Sequence, residues 1–96
     1  DEDEPKPYFN PVEGEWVYTS PMKNTETRIF TKEFEALVII NNDGKIINDP
    51  QGVYSIDKTT IRYKNTGNIY DYTIDEDTLR LTDKSSDWTK AFVRKK

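Results

Sequence analysis

Cys and His are both absent from this chain, which narrows the chemistry its side chains can do. That removes thiol nucleophiles, Ser-His-Asp relays, His proton shuttles, thiolate metal sites and disulfides. Carboxylates remain as the acid–base candidates in quantity. Asp43, Asp57, Asp75, Glu76 and Asp77 fall where turns are expected, and Glu33 and Glu35 flank a loop or a short helix. Glycoside hydrolysis needs two carboxylates converging across a bond, and no spacing here singles out such a pair. Asp71, between Tyr70 and Tyr72, is expected to face solvent as a strand residue. Asp75-Glu76-Asp77 and the acidic leader offer the oxygens that calcium takes, but the EF-hand spacing with its glycine is missing and a solvated turn is expected. The chain is therefore read as non-enzymatic, with no cofactor and no metal.

A net charge of −4 and a pI near 4.8 argue against a nucleic-acid partner, which calls for a basic footprint. Lys90, Arg94, Lys95 and Lys96 form a basic C-terminal stretch, read as a solvated strand end. The chain holds no run of 18 apolar residues, so no transmembrane helix is expected.

The elements that must position these groups are strands. Apolar and charged residues each make up 33% of the 96 residues, a balance that leans toward disorder, but 12% are aromatic. Each ring buries roughly 150–250 Å², so a core can be built from few residues. Residues 1–11, DEDEPKPYFNP, read as a flexible acidic tether, with Pro5, Pro7 and Pro11 favouring extended backbone. Residues 12–96 read as one domain of consecutive hairpins. Glu13–Thr19 alternates with Trp16 and Tyr18 on one face. Residues 26–40 admit two readings, a strand from Thr27 or a helical turn carrying Phe30, Phe34 and Leu37. Asn42-Asp43-Gly44 is a tight-turn signal, and Asp49-Pro50-Gln51-Gly52 is expected to reverse the chain again.

An internal repeat occupies the second half: Tyr54–Tyr63 (YSIDKTTIRY) aligns without gaps on Tyr72–Leu81 (YTIDEDTLRL). Each copy reads as one hairpin with its turn after the shared Asp. Tyr54, Ile56, Ile61 and Tyr63 then share a face, as do Tyr70, Tyr72, Ile74, Leu79 and Leu81. In a last strand from Trp88 the inward positions are Trp88, Lys90, Phe92 and Arg94. Such a succession predicts an all-β antiparallel up-and-down meander of eight or nine strands that closes into a small barrel.

Gly14-Glu15-Trp16 is similar to the Gly-x-Trp of the first lipocalin strand, and Phe92-Val93-Arg94 sits where those barrels carry a basic residue across the Trp ring. With Asn42–Gly44, Gly52–Asp57 and Thr78–Leu81, the order resembles short bacterial lipocalin-like (calycin-type) domains of uncharacterised function. The resemblance implies Gly14, Trp16 and Arg94 as a structural closure, with Trp16 and Arg94 in contact. It also implies an exported protein of the bacterial cell envelope, periplasmic or on the cell surface. The start at Asp1 rather than Met points to a segment upstream, where such proteins carry a lipidated Cys as their membrane anchor. The function it implies is a small apolar ligand held inside the barrel by Tyr18, Tyr54, Tyr63, Tyr70, Tyr72 and Phe92. The alternative is a side-chain-filled barrel serving as a protein-interaction or structural module of the envelope, with Trp88, Phe30, Phe34 and Leu37 as candidates for an exposed patch. The chain is expected to be a monomer.

Overall fold

The computed structural model describes residues 10–95. Among these, the regular elements are eight strands: β1 (Gly14–Thr19), β2 (Thr25–Phe30), β3 (Glu35–Asn42), β4 (Lys45–Ile56), β5 (Thr60–Tyr63), β6 (Ile69–Asp75), β7 (Thr78–Asp83) and β8 (Trp88–Arg94). Each pairs antiparallel with the next, and β8 returns to β1, closing an up-and-down barrel. The tether assigned to residues 1–11 lies mostly outside the described residues. Its last part is packed: Asn10 donates to the Tyr54 hydroxyl, and Val12 beyond it is fully buried.

Alternation of side chains decides what fills the barrel. Trp16, Phe30, Tyr54, Ile61, Tyr63, Leu79, Leu81 and Phe92 are fully buried, with Tyr70 and Tyr72 nearly so. The two repeat copies form hairpins in the same register, Tyr54 opposite Tyr63 and Tyr72 opposite Leu81. In the first copy Asp57 Oδ1 accepts from the backbone N–H groups of Thr59 and Thr60, and these bonds hold its carboxyl below the usual range.

In the first half one alternative is resolved in favour of the strand and one reading is corrected. Residues 26–40 contain no helical turn; β2 and β3 are joined by a tight reversal at 31–34, in which Phe34 takes a left-handed φ of 64°. The spacing of Phe30, Phe34 and Leu37 that suggested a helix arises because Phe30 and Phe34 bracket that turn and both meet Tyr54. Asp49–Gly52 does not reverse the chain either. β4 runs straight through it, pairing Leu37 with Pro50 and Ala36 with Gly52, so Gln51 is the extra residue of a β-bulge. Gly52 has φ 81°, and a Cβ there would sit 2.3 Å from the Asn65 side chain. Proline and glycine thus mark a bulge rather than a turn. Because β4 continues, the β3–β4 hairpin forms an arm that ends at the two-residue loop Asp43-Gly44; β3 stays paired with β2 as far as Asn41, while β4 meets β5 only from Tyr54.

Candidate functional site

The barrel has two ends of different chemistry. At the entry end, where residues 10–13 meet the turns 31–34, 57–59 and 76–77, Trp16 donates its indole N–H to the Val12 carbonyl at 2.9 Å. The Arg94 guanidinium lies over the Trp16 ring, 4.1 Å from its centre, and donates to the Glu13 carbonyl at 3.1 Å. Trp16 and Arg94 also face each other across the β1–β8 seam. Gly14 leaves room for this contact: with φ 128°, a Cβ there would stand 3.0 Å from Arg94 Nη1. Arg94 is therefore not a free basic end but part of the lid on this side.

At the loop end the interior turns polar. Working back from Phe30 by twos along β2 brings Arg28 and Glu26 to the inner face, and working forward from Trp88 along β8 brings in Lys90. Arg28 is only 7% exposed. Its Nε donates to Glu26 Oε2 at 2.7 Å and its Nη1 to the Tyr63 hydroxyl at 3.2 Å. Lys90 Nζ donates to the other Glu26 oxygen at 2.8 Å. Rings surround both cations: Arg28 lies 5.2 Å from the centre of Tyr70 and 5.7 Å from Phe92, and Lys90 4.6 Å from Trp88 and 5.3 Å from Tyr18. Aromatic faces stabilise cations that burial has partly stripped of water.

The protonation states follow from this packing. Burial works to raise the Glu26 carboxyl, but the Arg28 charge and the hydrogen bonds from Lys90 and Arg28 outweigh it and hold it below its ordinary value. Burial works against the charge on Arg28, yet Tyr63 and Glu26 beside it keep it firmly protonated. Burial pushes the Tyr63 phenol up to about 12, although Arg28 pulls the other way. Asp83, nearby on β7, is kept low mainly by the Ser85 hydroxyl, helped by the Ser85 and Ser86 N–H groups. Glu26 is thus a fixed counter-ion, not a proton donor.

Above Lys90 and Glu26 lies an open groove of about 500 Å³, walled by Tyr18, Pro21, Met22 and Ile40. Of the six rings expected to line one ligand cavity, Tyr18 borders this groove and stacks obliquely on Phe92 at 5.7 Å. Tyr63 packs edge-on against Tyr70 at 5.3 Å, and Tyr70 against Trp88 at 5.8 Å. Tyr54 stands at the entry end against Phe30 and Phe34, and the Tyr72 hydroxyl bonds the Asp57 carbonyl. The six therefore divide between two regions and spend their faces largely on one another.

The aromatic patch considered for a partner surface is not formed, since Phe30 is buried and Phe34 and Trp88 pack against the core. The exposed large apolar residues are instead Met22, Ile46, Ile47, Val53, Ile69 and Val93. Glu26 and Arg28 were not singled out by sequence reasoning, although the Glu-x-Arg-x-Phe alternation of β2 carries their inward phase. Lys90, read both as part of a solvated basic end and as an inward position, takes the inward one.

No family model, no curated protein and no solved structure matches this chain. The barrel topology and the site geometry carry the functional reading.

Proposed function

We propose that this chain is a non-enzymatic binding module in which the barrel is a side-chain-filled scaffold and the contact with a partner protein is made on its outside, along the exposed β4 edge of the β3–β4 arm. One observation carries this. The interior is taken up by rings in mutual contact and by the Glu26–Arg28–Lys90 network, while the arm exposes Ile46 and Ile47 to solvent at 63% and 45%. A small ligand inside would have to displace buried, hydrogen-bonded charge, which is costly. The lipocalin-like character belongs to the same proposal, supported by Gly14 making room for Arg94 over Trp16 in a closed eight-strand barrel. So does the setting, an exported protein of the bacterial cell envelope held by a lipid anchor upstream.

A second reading rests on the groove bordered by Tyr18, Pro21, Met22 and Ile40. Its apolar walls over the Lys90–Glu26 pair suit a small apolar ligand at the mouth of the barrel rather than inside it. Titration with an apolar fluorescent dye, read together with the two Trp emissions, separates the readings. The scaffold reading expects no saturable uptake. Stoichiometric uptake that is lost in Tyr18→Ala would overturn it in favour of the mouth site.

A further inference from the structure

The outer edge of the arm is an unfinished sheet. β4 pairs with β3 from Lys45 onward, but its pairing with β5 begins only at Tyr54. Among the described residues no strand therefore lies against Lys45–Gln51 on the side away from β3. A two-residue loop makes Asn42 and Lys45 a hydrogen-bonded pair, and alternation then assigns Ile40/Ile47 and Val38/Asp49 to the same class. The N–H and C=O groups of Ile46 and Asn48 consequently point out from the free edge, as does the Pro50 carbonyl. Side chains alternate too, with Lys45, Ile47 and Asp49 on one face and Ile46 and Asn48 on the other.

We infer that this edge pairs antiparallel with the same edge of a second copy, across a two-fold axis at Ile47. The inference rests on the arm being the binding surface. In that register Ile46 faces Asn48 of the second copy, and Asn48 faces its Ile46. All four outward N–H groups, two from each copy, then find a carbonyl. Lys45 falls opposite Asp49 of the second copy, and Asp49 opposite its Lys45. Ile47 meets Ile47 on the axis. Opposite charges directly across an antiparallel pair stabilise it, and a two-fold contact requires this self-complementarity.

Neighbouring registers lack it. Moving the axis to Asn48 places Ile46 against Pro50, which has no N–H, and Ile47 against Asp49. Moving it to Ile46 places Lys45 against Ile47. Pro50 and the bulge at Gln51 stop the pairing before β4 reaches its contact with β5, so the contact is short and closes at two copies. A reversible dimer is thus inferred in place of the monomer expected from the sequence.

Sedimentation of the full chain from micromolar to about millimolar concentration, at low salt, tests this. The average mass is expected to rise from one copy to two and stop there. Lys45→Asp sets like charges opposite each other twice and is expected to weaken dimerisation by about tenfold or more. The double exchange Lys45→Asp with Asp49→Lys restores the charge match and is expected to return it to within about threefold of the parent. Amide exchange gives a residue-level readout, in which Ile46 and Asn48 slow with rising concentration while Ile47, already bonded to β3, does not. A single-copy mass at all concentrations overturns the inference, as does growth past two copies or a Lys45→Asp chain that associates like the parent. None of these results bears on dye uptake, so loss of the dimer and loss of the scaffold reading are told apart.

Discussion

At the entry end the barrel is sealed by Trp16, Phe30 and Tyr54, and Arg94 lies over the Trp16 ring with part of its surface in water. At the loop end the same depth is filled by Glu26, Arg28 and Lys90 threaded between Tyr18, Tyr63, Tyr70 and Trp88. Both ends are plugged, and both plugs use rings. They differ in what the rings hold. The first gains from burying apolar area; the second is close to neutral, because desolvation of its charges offsets much of their attraction. A plug of the second kind contributes a fixed arrangement more than stability.

Substitutions can break or sharpen this contrast. The largest loss is expected for Trp16→Ala, about 3–5 kcal/mol in urea unfolding, since a buried indole and its bond to Val12 both go. Glu26→Gln leaves Arg28 and Lys90 without their counter-ion and should cost about 3 kcal/mol. Replacing all three charges at once, Glu26, Arg28 and Lys90 each to Met, should recover most of that loss. If the triple variant is as unstable as the single one, the contrast between the ends fails. The Glu26 carboxyl also contributes to the acid limit, alongside Asp57 and Asp83. Its pKa in the folded chain lies below the ordinary 4.5, so its contribution is present above that pH and is lost as pH falls through the folded value. Glu26→Gln should flatten that decline.

Tyr63 works at the other limit. The folded chain holds its phenol proton up to about 12, whereas the unfolded chain releases it near 10.0. Stability is therefore full below pH 10 and falls as pH rises toward 12, by about 2 kcal/mol, a loss that Tyr63→Phe should remove. Arg94→Met keeps packing over Trp16 but forfeits the cation–ring contact, about 0.5–2 kcal/mol by the same unfolding assay. Smallest of all, Ile46→Thr on the exposed arm should shift stability by less than about 0.5 kcal/mol. A large effect there would mean that the arm supports the barrel.

How much of this was legible in the sequence depends on the range of the signal. The duplicated Tyr-x-Ile-Asp hairpins could be read because alternation and turn chemistry are local, and the structure keeps their register. The Trp16–Arg94 contact could be read because the resemblance to lipocalin barrels pairs the two positions and alternation turns both side chains inward. Asp49–Gly52 misled because proline and glycine serve bulges as well as turns, and only the partner strand decides between them. The Glu26–Arg28–Lys90 network was missed for a different reason. Charged residues at the inward positions of β2 contradict the rule that places polar side chains outside, so by residue type Glu26 and Arg28 carry no local signal of burial. Counting by twos from Phe30 would have found two of the three.

The closing seam has a consequence for how the chain folds. Seven of the eight strand pairings join neighbours in sequence, so each can zip from its own turn at small entropic expense. Among the described residues the eighth joins β1 to β8 at Trp16–Arg94 and Val17–Val93, with the Lys95 N–H donating to the Glu15 carbonyl beside them, across nearly the whole chain. Its loop must be closed before it returns any contact energy. The seam is therefore the pairing expected to form last, with the meeting of Arg94 and Trp16 as the step that turns a ribbon into a ring.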